Sequence, residues 1–311
     1  MTRVLIFGAQ GQLARALAHS PWPRGWRTRY LDRSRCDLTD FAAVRDAILE
    51  GAPALIVNAA AHTAVDRAES QPDIAWAVNA LAPAAMAEAA RQVGAALVQV
   101  STDYVFSGSL GPAWTEADEP RPLNVYGATK AASEEAVRAA LPRHLILRTA
   151  WLFDRSGRNF VTTMLRLGRM QDRLSVVNDQ YGRPTAAGDL AQALVHMAHA
   201  AMSADSGWGT YHLTNGGPAV MRADFARSIF AAAAPWYGAP PEIVPVRSNA
   251  FPAAAQRPAN AVLDTARAEQ VFGLAPRPWS DALGATLAQP LPRCAAARTR
   301  SAQGASARVA A

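Results

Sequence analysis

The sequence predicts an α/β fold, a doubly wound parallel sheet with a smaller C-terminal lobe. Three observations carry this expectation. Short apolar runs alternate with longer helical patterns over residues 1–150. A glycine-bearing turn directly follows the first run. The pattern loosens after about Trp151. Strands that alternate with helices need a parallel sheet covered on both faces, because each crossover helix lies against a face.

The elements follow in order. Arg3–Gly8 (RVLIFG) reads as a buried strand, and Gln10–His19 as a helix with Leu13 and Leu17 on one face. Thr28–Leu31 is a second strand. Phe41–Glu50 is a helix entered through Thr39 or Asp40 as its cap. Leu55–Asn58 is a third strand and Ile74–Val93 a long helix. Ala96–Val100 is a fourth strand, Tyr126–Ala140 a helix and His144–Leu147 a fifth strand. Residues 1–150 thus form a dinucleotide-binding domain by pattern. Residues 151–288 form a smaller lobe in which Phe160–Met170 and Leu190–Ala201 are helical. Tyr211–Leu213, within 209–214, is a strand that returns to the first sheet. Residues 289–311 show no apolar periodicity and read as a disordered tail.

Composition narrows the function classes. The chain has 311 residues, half of them hydrophobic and 18% charged, enough to bury a core. Two cysteines, Cys36 and Cys294, are too few for a disulfide framework or a zinc site. No apolar run approaches the roughly 18–20 residues that span a bilayer, and no signal-peptide pattern opens the chain. A soluble cytoplasmic protein is expected, with no membrane partner. The net charge is +6, but the arginines are scattered, so no nucleic-acid footprint is read. An anionic small molecule suits the same balance. Of 31 basic residues, the only lysine is Lys130. Ammonium is a compact charge with a tunable pKa, whereas guanidinium is a planar fork. A single lysine among thirty arginines marks a place where guanidinium will not serve.

The chemistry-bearing residues fall at strand ends. Gly8-Ala9-Gln10-Gly11-Gln12-Leu13-Ala14 follows strand one and opens helix one. Gly8 permits the turn, Gly11 lets a pyrophosphate approach the backbone, and Ala14 lets helix pack on strand, as in a Rossmann-type fold. Asp32 stands 21 residues after Gly11, where a carboxylate accepts from an adenosine ribose and favours NADH. Arg33 beside it suits a 2′-phosphate and NADPH; the two readings stay open. Asp37 and Leu38 lie in the next loop, near the adenine. Ala61, His62 and Thr63 follow strand three, where small residues leave room for a cofactor. Thr102, Asp103 and Tyr104 follow strand four. Tyr126 and Lys130, four apart on a helix, share one face. An ammonium near a phenol favours phenolate, which suits proton exchange with an alcohol.

These blocks resemble the extended short-chain dehydrogenase/reductase superfamily. Within it, VNAAAHTAVDRAES (57–70), STDYVF (101–106), PLNVYGATK (122–130), RTAWLF (148–153), VNDQYGRPT (177–185) and RPANAVLD (257–264) are similar to the dTDP-4-dehydrorhamnose reductase family. The resemblance runs from about residue 3 to about 288. It implies reduction of the 4-keto group of a dTDP-6-deoxysugar with NADPH or NADH. On this chain it assigns Tyr126 as general acid, Lys130 to the nicotinamide ribose, and Thr102 to the substrate oxygen. It also assigns Asp103, Tyr104 and Trp151 to the sugar, and Gly11–Leu13, Asp32, Asp37, Leu38 and Ala61–Thr63 to the cofactor. Arg183 and Arg257 are candidates for the substrate phosphates from charge and position.

Three other readings were open. Related 4,6-dehydratases carry Thr-Asp-Glu, and here the third residue is Tyr104, which cannot act as that acid. Another nucleotide-sugar reductase or an epimerase shares the cofactor loop. A regulatory subunit resembling the beta subunit of methionine adenosyltransferase shares the fold, but has no need for both Tyr126 and Lys130. Some family members dimerise around a metal held by carboxylates, one on the first helix. Residues 12–19 here carry no acid, so no structural metal is expected and a homodimer is only compatible with the sequence.

Lys130→Arg should abolish turnover in the implied reduction, because a guanidinium cannot reproduce the ammonium geometry. Steady-state rates at matched cofactor saturation test this; full activity would remove the meaning of the single lysine.

Overall fold

The computed structural model describes residues 1–290 and the backbone of 307–309. The rest of the expected tail, 291–306 and 310–311, lies outside the described residues. The first half runs β1 (Thr2–Phe7), α1 (Gln12–Ala18), β2 (Trp26–Leu31), α2 (Phe41–Gly51) and β3 (Leu55–Asn58). It continues through α3 (Val65–Ser70), α4 (Pro72–Trp76) and α5 (Ala82–Val93) to β4 (Ala96–Thr102), α6 (Val125–Ala140) and β5 (His144–Thr149). Asp40 caps α2, its carboxylate accepting from the Ala43 N–H at 3.0 Å.

The helix expected over 74–93 is not a single regular piece. A π turn, Ala77–Leu81, joins α4 to α5. Pro83 supplies the reason: it has no N–H for the Asn79 carbonyl four residues back, and the helix widens around that gap.

The second half opens with β6 (Leu152–Phe153), α7 (Phe160–Gly168), β7 (Arg173–Val177), β8 (Tyr181–Gly182), β9 (Thr185–Ala186) and α8 (Ala187–Ala204). Then come β10 (Gly209–His212), β11 (Val220–Met221), α9 (Arg222–Tyr237), β12 (Glu242–Val246), β13 (Asn260–Ala261), α10 (Ala266–Phe272) and α11 (Trp279–Leu287). A final strand, β14 (Ala307–Val309), lies parallel to β7, so these three residues depart from the disorder expected of the tail.

The main sheet has the order β10-β5-β4-β3-β1-β2, all pairs parallel. The chain order reverses between β1 and β3, and open α/β sheets bind ligands at such a switch point. Each strand sends alternate residues to opposite faces. Val4, Ile6, Leu55, Val57, Leu145 and Leu147 pack under α1, α8 and α10. Leu5, Phe7, Ile56, Leu97 and Ile146 pack under α2, α5 and α6. β10 returns to the sheet as the sequence predicts, Tyr211 opposite Leu147. A separate core, including Phe153, Met164, Phe225 and Leu283, gathers β6, α7, β7, β9, α9 and α11 into the second lobe.

α6 is fastened to the sheet by charge. Glu134 is fully buried and receives the Arg148 fork at 2.9 and 2.6 Å and the Ser101 hydroxyl at 2.5 Å. Arg148, also buried, reaches His212 Nε2 on β10 at 3.4 Å. Burial and the Arg148 charge hold the His212 imidazole down to about 4, so it is neutral at pH 7. One group on α6 thus ties together β4, β5 and β10. Glu134→Ala should cost about 3–5 kcal/mol, because it strands the Arg148 charge in the interior. Urea denaturation reads this directly, and a change within about 0.5 kcal/mol would show that α6 docks by apolar packing alone.

Candidate active site

A cleft of about 680 Å3 runs along the carboxyl ends of β1–β5, from Asp32 at one end to Trp151 at the other. Every residue expected to touch cofactor or substrate lines it, except Arg183 and Arg257.

The cofactor end begins at Gly8, whose φ is +91°; a side chain there would press its Cβ to 2.8 Å from the Ala60 backbone. Only glycine lets β1 turn beneath the loop after β3. Gly11 is the N-cap of α1 and brings no side chain to the first turn. The open N–H groups of Gln12 and Leu13 therefore face the cleft, the arrangement that binds a pyrophosphate. Asp32 at the end of β2 accepts from the Ser34 hydroxyl at 2.7 Å and from the Ser34 and Arg35 N–H groups at 3.1 Å. These bonds, the hydroxyl first, hold its carboxyl below the usual range. Arg33 is bonded to Asp37 at 3.1 Å, so its charge is partly answered by its neighbour. Leu38 closes this end with its side chain buried.

Ala61, His62 and Thr63 form the floor after β3. The His62 N–H donates to Asn79 Oδ1 at 2.8 Å, and Asn79 Nδ2 donates to the His62 carbonyl and the Thr129 hydroxyl, each at 3.1 Å. Thr129 in turn donates to the Tyr126 carbonyl at 2.8 Å. Asn79, fully buried in the π turn, therefore couples the cofactor loop to the helix that carries Tyr126. Sequence reading missed it. The signal available was an amide inside an otherwise alanine-rich helix just before a proline.

At the chemical end, Asn124 caps α6, accepting from the Gly127 N–H at 2.8 Å. Gly127 fits because a Cβ would meet the Tyr104 carbonyl oxygen at 2.1 Å. Tyr126 packs edge to face on Tyr104, with centroids 5.4 Å apart. The Lys130 ammonium donates to the Val100 carbonyl at 2.6 Å. Burial pulls its pKa down to about 8, with Glu134 one turn further on pulling back up.

The expected lowering of the tyrosine pKa by Lys130 does not hold. Burial pushes the Tyr126 phenol well above the usual tyrosine range, and the Asp103 charge pushes the same way, against the Thr102 hydroxyl. The lysine head is taken by a backbone carbonyl instead. Tyr126 is protonated at neutral pH, which is the state a proton donor needs.

Thr102 donates to Asp103 Oδ1 at 2.9 Å and accepts the Tyr104 N–H at 3.2 Å. Burial pushes the Asp103 carboxyl up to about 7, and its Oδ2 is buried without a hydrogen-bond partner. Trp151 occupies the left-handed region at φ +47°, which costs a non-glycine residue about 1–3 kcal/mol. Its ring lies so close to Gly182 that a Cβ there would come within 2.7 Å.

The two phosphate candidates are placed elsewhere. Arg257 forms a bidentate pair with Asp66, at 2.7 and 3.1 Å. Arg183 donates to the Leu263 carbonyl at 3.2 Å. Basic groups that do line the cleft include Arg15 and Arg158, which the sequence analysis did not single out. Across the cleft, the Asn159 amide of the second lobe donates to Gln12 Oε1 at 2.9 Å.

The chain matches the family model described as the RmlD substrate binding domain over residues 1–291. It is 45% identical to a dTDP-4-dehydrorhamnose reductase from Streptomyces griseus, over 90% of this chain and 91% of that one. Among solved structures, a dTDP-4-dehydrorhamnose reductase from Clostridium acetobutylicum superposes with a TM-score of 0.86 at 38% identity. That match covers 92% of this chain and 99% of the other. The Bacillus anthracis reductase in complex with NADP superposes with a TM-score of 0.85 at 35% identity, covering 93% of this chain and 99% of that one. No helix among the described residues is long and apolar enough to cross a membrane.

Asp103→Asn should raise the melting temperature at pH 8 and leave it nearly unchanged at pH 5. The folded pKa lies above the unfolded one, so stability falls as pH rises from about 4 to about 7. Asn removes a buried charge only where Asp103 carries it. Thermal melts at the two pH values test this, and an equal effect at both would mean that Asp103 is not charged at pH 8.

Proposed function

This chain belongs to the RmlD family of dTDP-4-dehydrorhamnose reductases, and we propose that it reduces the 4-keto group of dTDP-4-dehydro-6-deoxy-L-mannose to dTDP-L-rhamnose, using NADPH or NADH. The observation that carries this reading is a buried, protonated Tyr126 in the same cleft as the uncapped N-terminus of α1.

The residues present fit a dinucleotide. The α1 N–H groups would hold the pyrophosphate, Asp32 the adenosine ribose, and Lys130 the nicotinamide ribose. When bound, the nicotinamide supplies a hydride to C4. Tyr126 supplies the proton: its O–H bond breaks as the new C4 oxygen takes it up, leaving a phenolate. The Lys130 ammonium, one helical turn from Tyr126 and held by the Val100 carbonyl, is left to orient the ribose rather than to lower the phenol pKa. Thr102, Asp103, Tyr104 and Trp151 hold the sugar on this reading. Residues 1–150 with 209–214 carry the cofactor, and 151–288 close over the nucleotide sugar. Tyr104 stands where a dehydratase needs a second acid, which disfavours elimination of water. The same reading places the chain in the cytoplasm and allows a homodimer.

The test is oxidation of NADPH or NADH in the presence of dTDP-4-keto-6-deoxyglucose and a 3,5-epimerase. Wild-type protein should consume reduced cofactor only when the sugar nucleotide is present. Tyr126→Phe should slow turnover by about 10²–10⁴-fold with cofactor affinity nearly intact. No consumption by folded, cofactor-binding protein, or normal turnover by Tyr126→Phe, would overturn the reading.

A further inference from the structure

Arg222 is the first residue of α9 and is 92% buried, with 8% of its surface exposed. Its guanidinium carbon lies 3.8 Å from the centroid of the Trp151 ring and 5.3 Å from that of Phe160. Among the described residues no carboxylate lies within salt-bridge distance of it, and its Nε is buried without a hydrogen-bond partner. A buried arginine is ordinarily paired. This one is pressed on an aromatic face instead, behind a residue that lines the cleft.

We propose that Arg222 is a positioning residue for the sugar end of the cleft: it clamps the Trp151 indole as a fixed platform and lends its unpaired positive charge to the buried Asp103 carboxylate. The proposal rests on the reading of the cleft as a sugar-nucleotide reductase site.

Two independent constraints meet at Trp151. Its backbone is held in the left-handed region, and Gly182 leaves no room for the ring to retreat. The guanidinium lies over the indole in a cation–π contact that is strong because it is desolvated. The indole presented to the cleft is therefore set by Arg222 as much as by Trp151 itself.

The charge has a second destination. Around Asp103 the charged and titratable groups are Tyr104 in the same turn, Tyr126 on α6 and Arg222 on α9, with the Thr102 hydroxyl as its bonded donor. Arg257 and Asp66 act on Tyr104 from further out. Of the groups around Asp103, Arg222 is the one whose positive charge acts on it directly, and it opposes the upward push of burial. Burial in turn pulls Arg222 down to about 10, against the Tyr104 and Asp103 charges, so it stays cationic at neutral pH.

Two variants separate the roles. Arg222→Met keeps an unbranched stem against the indole and removes the charge. Arg222→Lys keeps the charge and replaces the broad guanidinium over the indole with a compact ammonium. The carboxyl of Asp103 is followed by carbon-13 NMR across pH, its signal assigned with Asp103→Asn. Rates are measured as kcat and KM over the same range. Arg222→Met should move the Asp103 midpoint, and the acid limb of kcat/KM with it, to higher pH. Arg222→Lys should leave both in place and raise KM for the sugar nucleotide about tenfold with a smaller change in kcat. Cofactor affinity, read at the far end of the cleft, checks that each variant is folded. An unmoved midpoint in Arg222→Met, or an unchanged KM in Arg222→Lys, overturns the proposal. If Arg222→Met does not fold, the KM of Arg222→Lys decides. If wild-type protein fails to oxidise cofactor with the dTDP sugar, the proposed function falls, and the Asp103 titration alone decides the role of Arg222.

Discussion

The buried contact between Glu134 and Arg148 is the constraint on which the site depends. Tyr126, Lys130 and Glu134 follow one another at every fourth position along one face of α6, so whatever holds Glu134 sets the other two. Glu134 is held by β4 through Ser101 and by β5 through Arg148. Arg148 extends the hold to β10, a strand contributed from far along the chain. The helix cannot slide or roll without breaking charge-assisted hydrogen bonds in a dry interior, where their loss is expensive.

The electrostatics of the cleft follow from what surrounds each group rather than from a simple pairing of acid and base. Burial works in opposite senses on Tyr126 and Lys130: it keeps the proton on the phenol and loosens it on the ammonium. Asp103, on which a cation without a carboxylate partner acts, is close to the midpoint of its own titration at neutral pH. The sugar end of the cleft is thus electrically soft, while the cofactor end relies on a fixed carboxylate and backbone dipoles.

Much of this was legible in the sequence where local pattern decides the outcome. Four of the five early strands, β1, β3, β4 and β5, are buried along most of their length, so their apolar runs are conspicuous, and the glycine turn follows the first of them. The residues at their carboxyl ends fall in one cleft because parallel strands all point the same way. What sequence could not reveal depends on partners distant in the chain. Arg257 looked available for phosphate because nothing in its neighbourhood announces Asp66. Arg222 sits where the periodicity loosens, and only its contact with Trp151 makes it notable. The spacing of Tyr126 and Lys130 placed them on one face, but not the Val100 carbonyl that occupies the ammonium. Pro83 stands in plain view inside the helix read over 74–93, yet the turn it opens, which presents Asn79 to the loop after β3 and to α6, needs three dimensions.

The position of Lys130 has a consequence for covalent chemistry. It is the one side-chain amine of the chain, and it lies 2% exposed on the wall of the cleft. Acylating or reductively alkylating reagents, which on most proteins scatter over many surface lysines, meet here a single concealed side-chain target. Its modification measures how open the cleft is, and protection of that one nitrogen by a bound molecule can be followed by mass alone.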